Sequence, residues 1–345
     1  MASSTGEGAA PIVLYHYPYS PYARRVVWYL ALRGIPYMEC IQPPFMPRPD
    51  VEALGVNYRR IPILTVGRDV YLDTRLIIQK LEALYPEKPR LGATSGGDQA
   101  IEQLLQSFNI DGGIFNHAFQ LLPTDLPVLR DPVYYKDRAE FIGKSLTKES
   151  LGKGRPEAVN EMKKAFDLFE HMLLADGRDW VLGSDGPRVA DIEAIWPYHW
   201  LAGIPGALPE ETFSPSTYPR VYSWIDRFQK AVSAAKKTNG RAERISGEAA
   251  LKLTAGSPWN EAPGSVDPQD SVVVADGLRG GDLVTVWPTD TGSSHRDTGS
   301  LVSISSTEVV IETRAKDNAA TVLRVHAPRH GFRVRKTAGT TQTRL

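Results

Sequence analysis

Four short stretches of this 345-residue sequence place polar side chains where they could act on a bound molecule. The first is Tyr17-Pro18-Tyr19-Ser20-Pro21-Tyr22, at the mouth of an apolar run. A serine followed directly by proline begins many helices, because the hydroxyl accepts from a first-turn amide and the proline sits where no N–H is needed. Capping and chemistry can share such a residue, and Tyr17, Tyr19 and Tyr22 stand beside it as rival hydroxyls. The second stretch is Arg60-Ile61-Pro62, an X-Pro step at a strand start behind a surface charge. In the third, Asp73-Thr74 heads an amphipathic helix and is a good capping pair. The fourth comprises Asn109, Asn116 and His117, polar residues in an otherwise apolar helical stretch, where a lone histidine is more often exposed or hydrogen-bonded than catalytic. Gly112-Gly113 lacks the context of a phosphate loop.

The elements that must carry these groups follow from periodicity. Ile12–Tyr17 is a β-prone run, and from Pro21 apolar residues recur at helical spacing until Gly34. A second β-prone stretch covers Tyr37–Gln42. A proline-rich connection then leads to Ile61–Leu72, two short strands about a Gly67-Arg68 turn, and Asp73–Tyr85 is an amphipathic helix stopped by Pro86. The order βαβ, then ββα, describes a compact α/β unit with a right-handed crossover. From Asp98 to about Arg244 the period is helical throughout, broken by Pro and Gly. Beyond a Gly, Ser, Pro and Ala-rich stretch, short β-branched segments (SVVVA, LVTVW, GSLVSIS, TEVVIET, TVLRVHA, GFRVRK) indicate a small all-β barrel. The expected division is a disordered lead over 1–10, an α/β domain over 11–92, a helical domain over 93–246, a linker over 247–268, an all-β module over 269–338 and a tail over 339–345. The last β segments, RVHAPRHGFRVRK, are basic without an acid and read as a solvated edge.

Forty Lys and Arg balance forty Asp and Glu, so no global field favours nucleic acid or an anionic membrane. The single cysteine, Cys40, excludes an internal disulfide and a cysteine-rich metal site and suits a reducing compartment. Seven scattered histidines show no metal spacing. The N-terminus has neither a basic nor an apolar signal region, and no apolar run reaches spanning length, so a cytoplasmic location without membrane or nucleic-acid partners is expected.

SPYARRV, RRIPIL, YLDTRLIIQKLE and YPRVYSWIDRF, in that order over about Pro11 to Lys237, resemble the glutathione S-transferase superfamily. SPYARRV is similar to the Ser-Pro-Phe opening of the serine-type classes and to the omega-class Cys-Pro-Tyr-Ala with Ser20 for cysteine. The resemblance implies a thioredoxin-like domain followed by an all-α domain, glutathione as cosubstrate or recycled cofactor, and commonly a homodimer. It implies that Ser20 faces the glutathione sulfur, where a hydrogen bond and the helix dipole favour the thiolate. It also implies a cis Pro62 that turns the Ile61 backbone toward the cysteinyl part, and Arg60 near the glycyl carboxylate. Asp73, in place of the usual glutamate, and Thr74 would hold the γ-glutamyl end. Tyr22, Asn109, Asn116 and His117 become candidates for the wall of a second-substrate pocket. Arg188 replaces the usual hydroxyl of a capping box, leaving Asp191 without its reciprocal partner. The implied activity is attack of the thiolate on an apolar electrophile, and the implied setting is a dedicated natural-product pathway. Its outcome is either conjugation or, by addition, rotation and elimination, cis/trans isomerisation of a conjugated alkene. The alternative is a non-catalytic binding or regulatory protein of the same fold. Serine for cysteine argues against disulfide exchange.

Overall fold

The computed structural model describes residues 10–316 and 318–337. All but Ala10 of the expected lead, and all of the expected tail, lie outside them. Strand β1 (Ile12–His16) leads through the Ser20 cap into helix α1 (Pro21–Arg33), which Gly34 ends in a left-handed conformation. β2 (Met38–Ile41) lies parallel to β1, and α2 (Pro49–Ala53) occupies part of the proline-rich connection. β3 (Ile63–Val66) and β4 (Asp69–Leu72) form the hairpin, and α3 (Thr74–Leu84) closes the thioredoxin-like domain. The Ile61–Pro62 peptide is cis, as is Met46–Pro47.

The helical domain comprises α4 (Gly96–Ile110), α5 (Ile114–Gln120), α6 (Pro127–Arg130), α7 (Pro132–Ile142), α8 (Lys148–Leu168), α9 (Val189–Ala202) and α10 (Pro219–Asn239). α8 runs on into a π-helical turn over Phe169–Leu173. Gly112-Gly113 is a break between α4 and α5, with Gly113 left-handed at φ +86°. α9 contains Pro197, whose missing N–H cannot reach the Glu193 carbonyl one turn back. Asn109 supplies the donor: its Nδ2 lies 2.6 Å from Glu193 O and 2.9 Å from Ala194 O. At the start of α9, Asp191 still caps without a hydroxyl opposite. It accepts from Arg188 N (2.9 Å), Val181 N (3.0 Å) and Trp224 Nε1 (3.0 Å), while burial pushes its carboxyl above the ordinary range.

The rest of the chain corrects two expectations. The stretch 247–268 is not a plain linker: Ser246 caps α11 (Gly247–Gly256), ten residues rich in good helix formers. SVVVA is helical, not a strand, because Asp270 caps α12 (Ser271–Asp276) at two amides and Gly277 stops it left-handed. β-branched composition loses there to the local caps. The expected all-β unit is present as β6 (Leu283–Pro288), β7 (Asp297–Ile304), β8 (Glu308–Ala315), β9 (Asn318–Pro328) and β10 (Phe332–Lys336), paired antiparallel in the order β10-β6-β7-β8-β9. β9 pairs in parallel with β4, so the ten strands form one sheet in the order β10-β6-β7-β8-β9-β4-β3-β1-β2-β5, where β5 is Glu243–Arg244.

Two cores result. One packs α1 and α3 against the helical domain through Trp28, Tyr29, Ile77, Trp196 and Trp224. The other joins Val13, Tyr15, Ile63 and Val70 of the first domain to Leu301, Ile311, Leu323 and Val325 of the C-terminal strands. The basic last segment is a solvated edge only in its second half, where β10 ends the sheet with Arg333, Arg335 and Lys336 exposed. β9 is an interior strand, and His326, Arg329 and His330 meet Asp69, Asp270 and Asp111, acids that lie far off in the chain.

Candidate functional site

Sheet register brings three of the four sequence stretches to one end of the molecule. Tyr15 pairs with Ile63 and Ile63 with Leu72, so the exit from β1 toward Ser20, the Ile61-Pro62 entry to β3 and the exit from β4 into Asp73-Thr74 share that end. Ser20 is buried; its Oγ accepts from Ala23 N at 3.2 Å, which leaves its own hydrogen uncommitted by the cap. Thr74 is also buried and accepts from the guanidinium of Arg25, which in turn pairs with Glu193 beneath the Trp196 ring. Arg25 can only donate, so the Thr74 hydrogen is free to point elsewhere. Asp73 has φ +66°, and its carboxylate accepts from Arg75 N (3.0 Å).

Arg60 spans the gap between the second and third stretches, with Nη1 3.8 Å from Asp73 Oδ2. Most of its donors go elsewhere. The guanidinium pairs with Asp290, and Nε and Nη2 reach Thr291 O at 2.9 and 2.6 Å. Neither partner could be found from the sequence, because both belong to the β6–β7 loop more than two hundred residues away.

The tyrosines differ in setting. Tyr19 is more than half exposed, its ring tilted against that of the half-buried Tyr17 at 4.9 Å. Tyr22 packs against Phe115 (4.9 Å) and Trp196 (4.8 Å), and burial holds its hydroxyl well above the ordinary phenol range despite the nearby cations Arg25 and Arg60. Asn109 is fully buried as the brace of α9, so its amide faces backbone rather than an open pocket, which corrects its expected place in a wall. Asn116 is exposed, and His117 is half-buried with an unpartnered Nδ1. The buried Cys40 thiol is pushed up to about 12 by burial and the neighbouring Asp50, so it is inert as a nucleophile at neutral pH.

Glu261, Glu308 and His326 bring ligating atoms within 4.8 Å of one another. Lys80 Nζ lies 2.6 Å from Glu261 and 2.7 Å from Glu308, so an ammonium already bridges the two carboxylates and offsets one of their charges.

Residues 14–89, which contain every group of the shared sheet end, match the family described as glutathione S-transferase, N-terminal domain. The N-terminal domain belongs to the glutathione S-transferase superfamily. Behind this transferase domain, residues 117–237 match a domain of unknown function (DUF7962). The fold is similar to that of a GST-like protein from Pseudomonas syringae, with TM-score 0.66 and 24% identity over 95% of this chain and 100% of that one. That likeness is too long to leave out the C-terminal strands. It is also similar to the β-etherase LigF of Sphingobium sp. strain SYK-6, with TM-score 0.51 and 14% identity over 66% of this chain and 99% of that one. No helix among the described residues is long and apolar enough to cross a membrane.

Proposed function

We propose that this chain is a glutathione-dependent enzyme that presents the glutathione thiolate to an electrophilic, largely apolar organic substrate. The observation that carries the reading is the buried Ser20 at the start of α1. Its oxygen is fixed by Ala23 N, its hydrogen is left to donate, and it lies within a domain matched to the transferase family. An extended tripeptide laid across the shared sheet end would pair its cysteinyl backbone with Ile61, beside cis-Pro62. Its γ-glutamyl carboxylate would meet the Thr74 hydroxyl and the first amides of α3, and its ammonium would meet Asp73. Arg60 stands toward the glycyl carboxylate.

With the sulfur at Ser20, the hydroxyl and the helix dipole favour the thiolate and the thiol proton passes to solvent. In conjugation a sulfur–carbon bond forms and a leaving group departs, or a proton adds to the carbon left negative. In isomerisation the sulfur–carbon bond forms, the new single bond rotates and elimination returns the thiolate. Tyr22, flanked by Phe115 and Trp196, offers an apolar wall with a neutral hydroxyl for the substrate, with Asn116 and His117 as outlying wall candidates. Tyr17, Tyr19 and Tyr22 are the alternative donors to sulfur. A homodimer is the expected assembly.

One observation favours a second, non-catalytic reading: Arg60 is already paired with Asp290. Retention on immobilised glutathione, lost on replacing Pro62 or Thr74, supports the enzyme, and failure to be retained overturns it. With a candidate electrophile, consumption of glutathione identifies conjugation and its full recovery identifies isomerisation.

A further inference from the structure

The β6–β7 loop, Thr289–Arg296, touches both other domains near Arg60. On one side Asn57 N donates to Asp297 at 2.6 Å and Asn57 Nδ2 to Arg296 O at 3.1 Å. On the other, Gly292 N donates 2.7 Å to Phe141 O at the end of α7. Just ahead of Gly292, Asp290 and Thr291 O take the Arg60 guanidinium, while Arg59 is held separately by Asp137 (2.7 Å) and lies against the Phe141 ring. The loop thus bridges the segment before cis-Pro62 and the helical domain, with a carboxylate facing the one cation of that segment not already committed to α7.

Building on the glutathione reading above, we propose that Asp290 determines specificity at the carboxyl end of the ligand, acting as a built-in competitor for Arg60. A peptide whose terminal carboxylate approaches Arg60 must displace Asp290, whereas one whose terminus is esterified need not. The Asp290 side chain is 63% exposed against 19% for Arg60, so the pair is a screened, exchangeable contact rather than a buried lock. Gly292 holds the loop in place. Its φ is +72°, and a Cβ there would stand 3.0 Å from Arg59 Cγ and 3.3 Å from Phe141.

The test measures binding of glutathione and of its glycyl monoethyl ester to the whole protein by calorimetry. In the wild type the two dissociation constants are similar. Asp290→Asn frees Arg60 and tightens glutathione by about threefold, the scale of one exposed ion pair, without tightening the ester. Gly292→Ala, which pushes the loop away without touching the charge, shifts the ratio in the same direction. An unchanged ratio of the two constants in both variants overturns the role of Asp290 while leaving glutathione binding intact. Failure of the wild type to bind either ligand overturns both this inference and the glutathione reading.

Discussion

At Ser20, the cap and the proposed chemistry make different demands, so substitutions separate them. Glycine keeps the capping backbone at a cost of a few tenths of a kcal/mol, and alanine costs about 1 kcal/mol of stability. Both remove the hydroxyl. Ser20→Gly is therefore expected to melt near the wild type yet lose roughly tenfold or more in kcat/KM, while Ser20→Ala loses the same activity and also melts earlier. An undiminished rate in Ser20→Gly passes the role to a neighbouring tyrosine. Cys40 gives a second prediction at this scale. With its thiol pushed up to about 12, it should resist alkylation in the folded protein at neutral pH and react fully in denaturant, as read by mass spectrometry. The sequence displayed Ser20 and Asp73 as helix caps and Pro62 at a strand entry because those features are local and contiguous. It could not display Asp290 on Arg60, nor the bracing of α9 by Asn109, since each joins residues whose proximity exists only after folding.

Among the elements, α9 depends on a repair made from α4. Asn109→Ala leaves the Glu193 carbonyl buried without its donor and should cost about 1–3 kcal/mol in denaturant unfolding. Restoring the helical N–H with Pro197→Ala should recover part of that loss only in the Asn109→Ala background, a coupling that a double-mutant cycle reads directly. The junction of β4 with β9 is electrostatic at its centre. His326 lies between Asp69 (2.9 Å) and Glu308 (3.4 Å). Burial alone opposes its charge, but the hydrogen bonds to both carboxylates outweigh burial and raise its pKa above the ordinary histidine value. Because the folded value is the higher one, the protonated ring stabilises the fold fully below about pH 6.5, and the contribution disappears as pH rises through the folded value. Asp297, which burial pushes up to about 7, also lowers stability as pH rises, but mainly between about pH 4 and 7. Stability measured above pH 6.5 should fall with pH in the wild type and fall less steeply in His326→Gln; equal slopes would remove His326 from the account. Periodicity revealed the long helices and most strands here, but it did not show α2 in the proline-rich connection or α11 in the expected linker, and it failed at SVVVA, where caps at Asp270 and Gly277 overrule five β-branched or small residues.

Across the whole molecule, the C-terminal strands are part of the first domain's architecture rather than an appendage. They extend its sheet at β4 and share its second core, burying Val13, Tyr15, Ile63 and Val70 against Leu323 and Val325. A chain ending at Asn239 would expose β4 as an unprotected edge beside an uncovered apolar face. It is expected to aggregate or to lose its near-ultraviolet dichroism, whereas two independent melting transitions in the full chain would contradict this. Composition announced that a β-rich segment follows the helical domain, but parallel pairing between residues 69–71 and 324–326 leaves no local signature, so its attachment could not be read in advance. The account as a whole depends on a tripeptide thiol becoming ionised at the start of α1. The most direct measurement is the pH titration of the thiolate ultraviolet absorbance of glutathione bound to the wild-type protein and to Ser20→Gly. The account predicts saturable binding, with the bound thiol titrating well below free glutathione in the wild type and nearer to it in the variant. No saturable binding, or a bound thiol that titrates as it does in water, would contradict it.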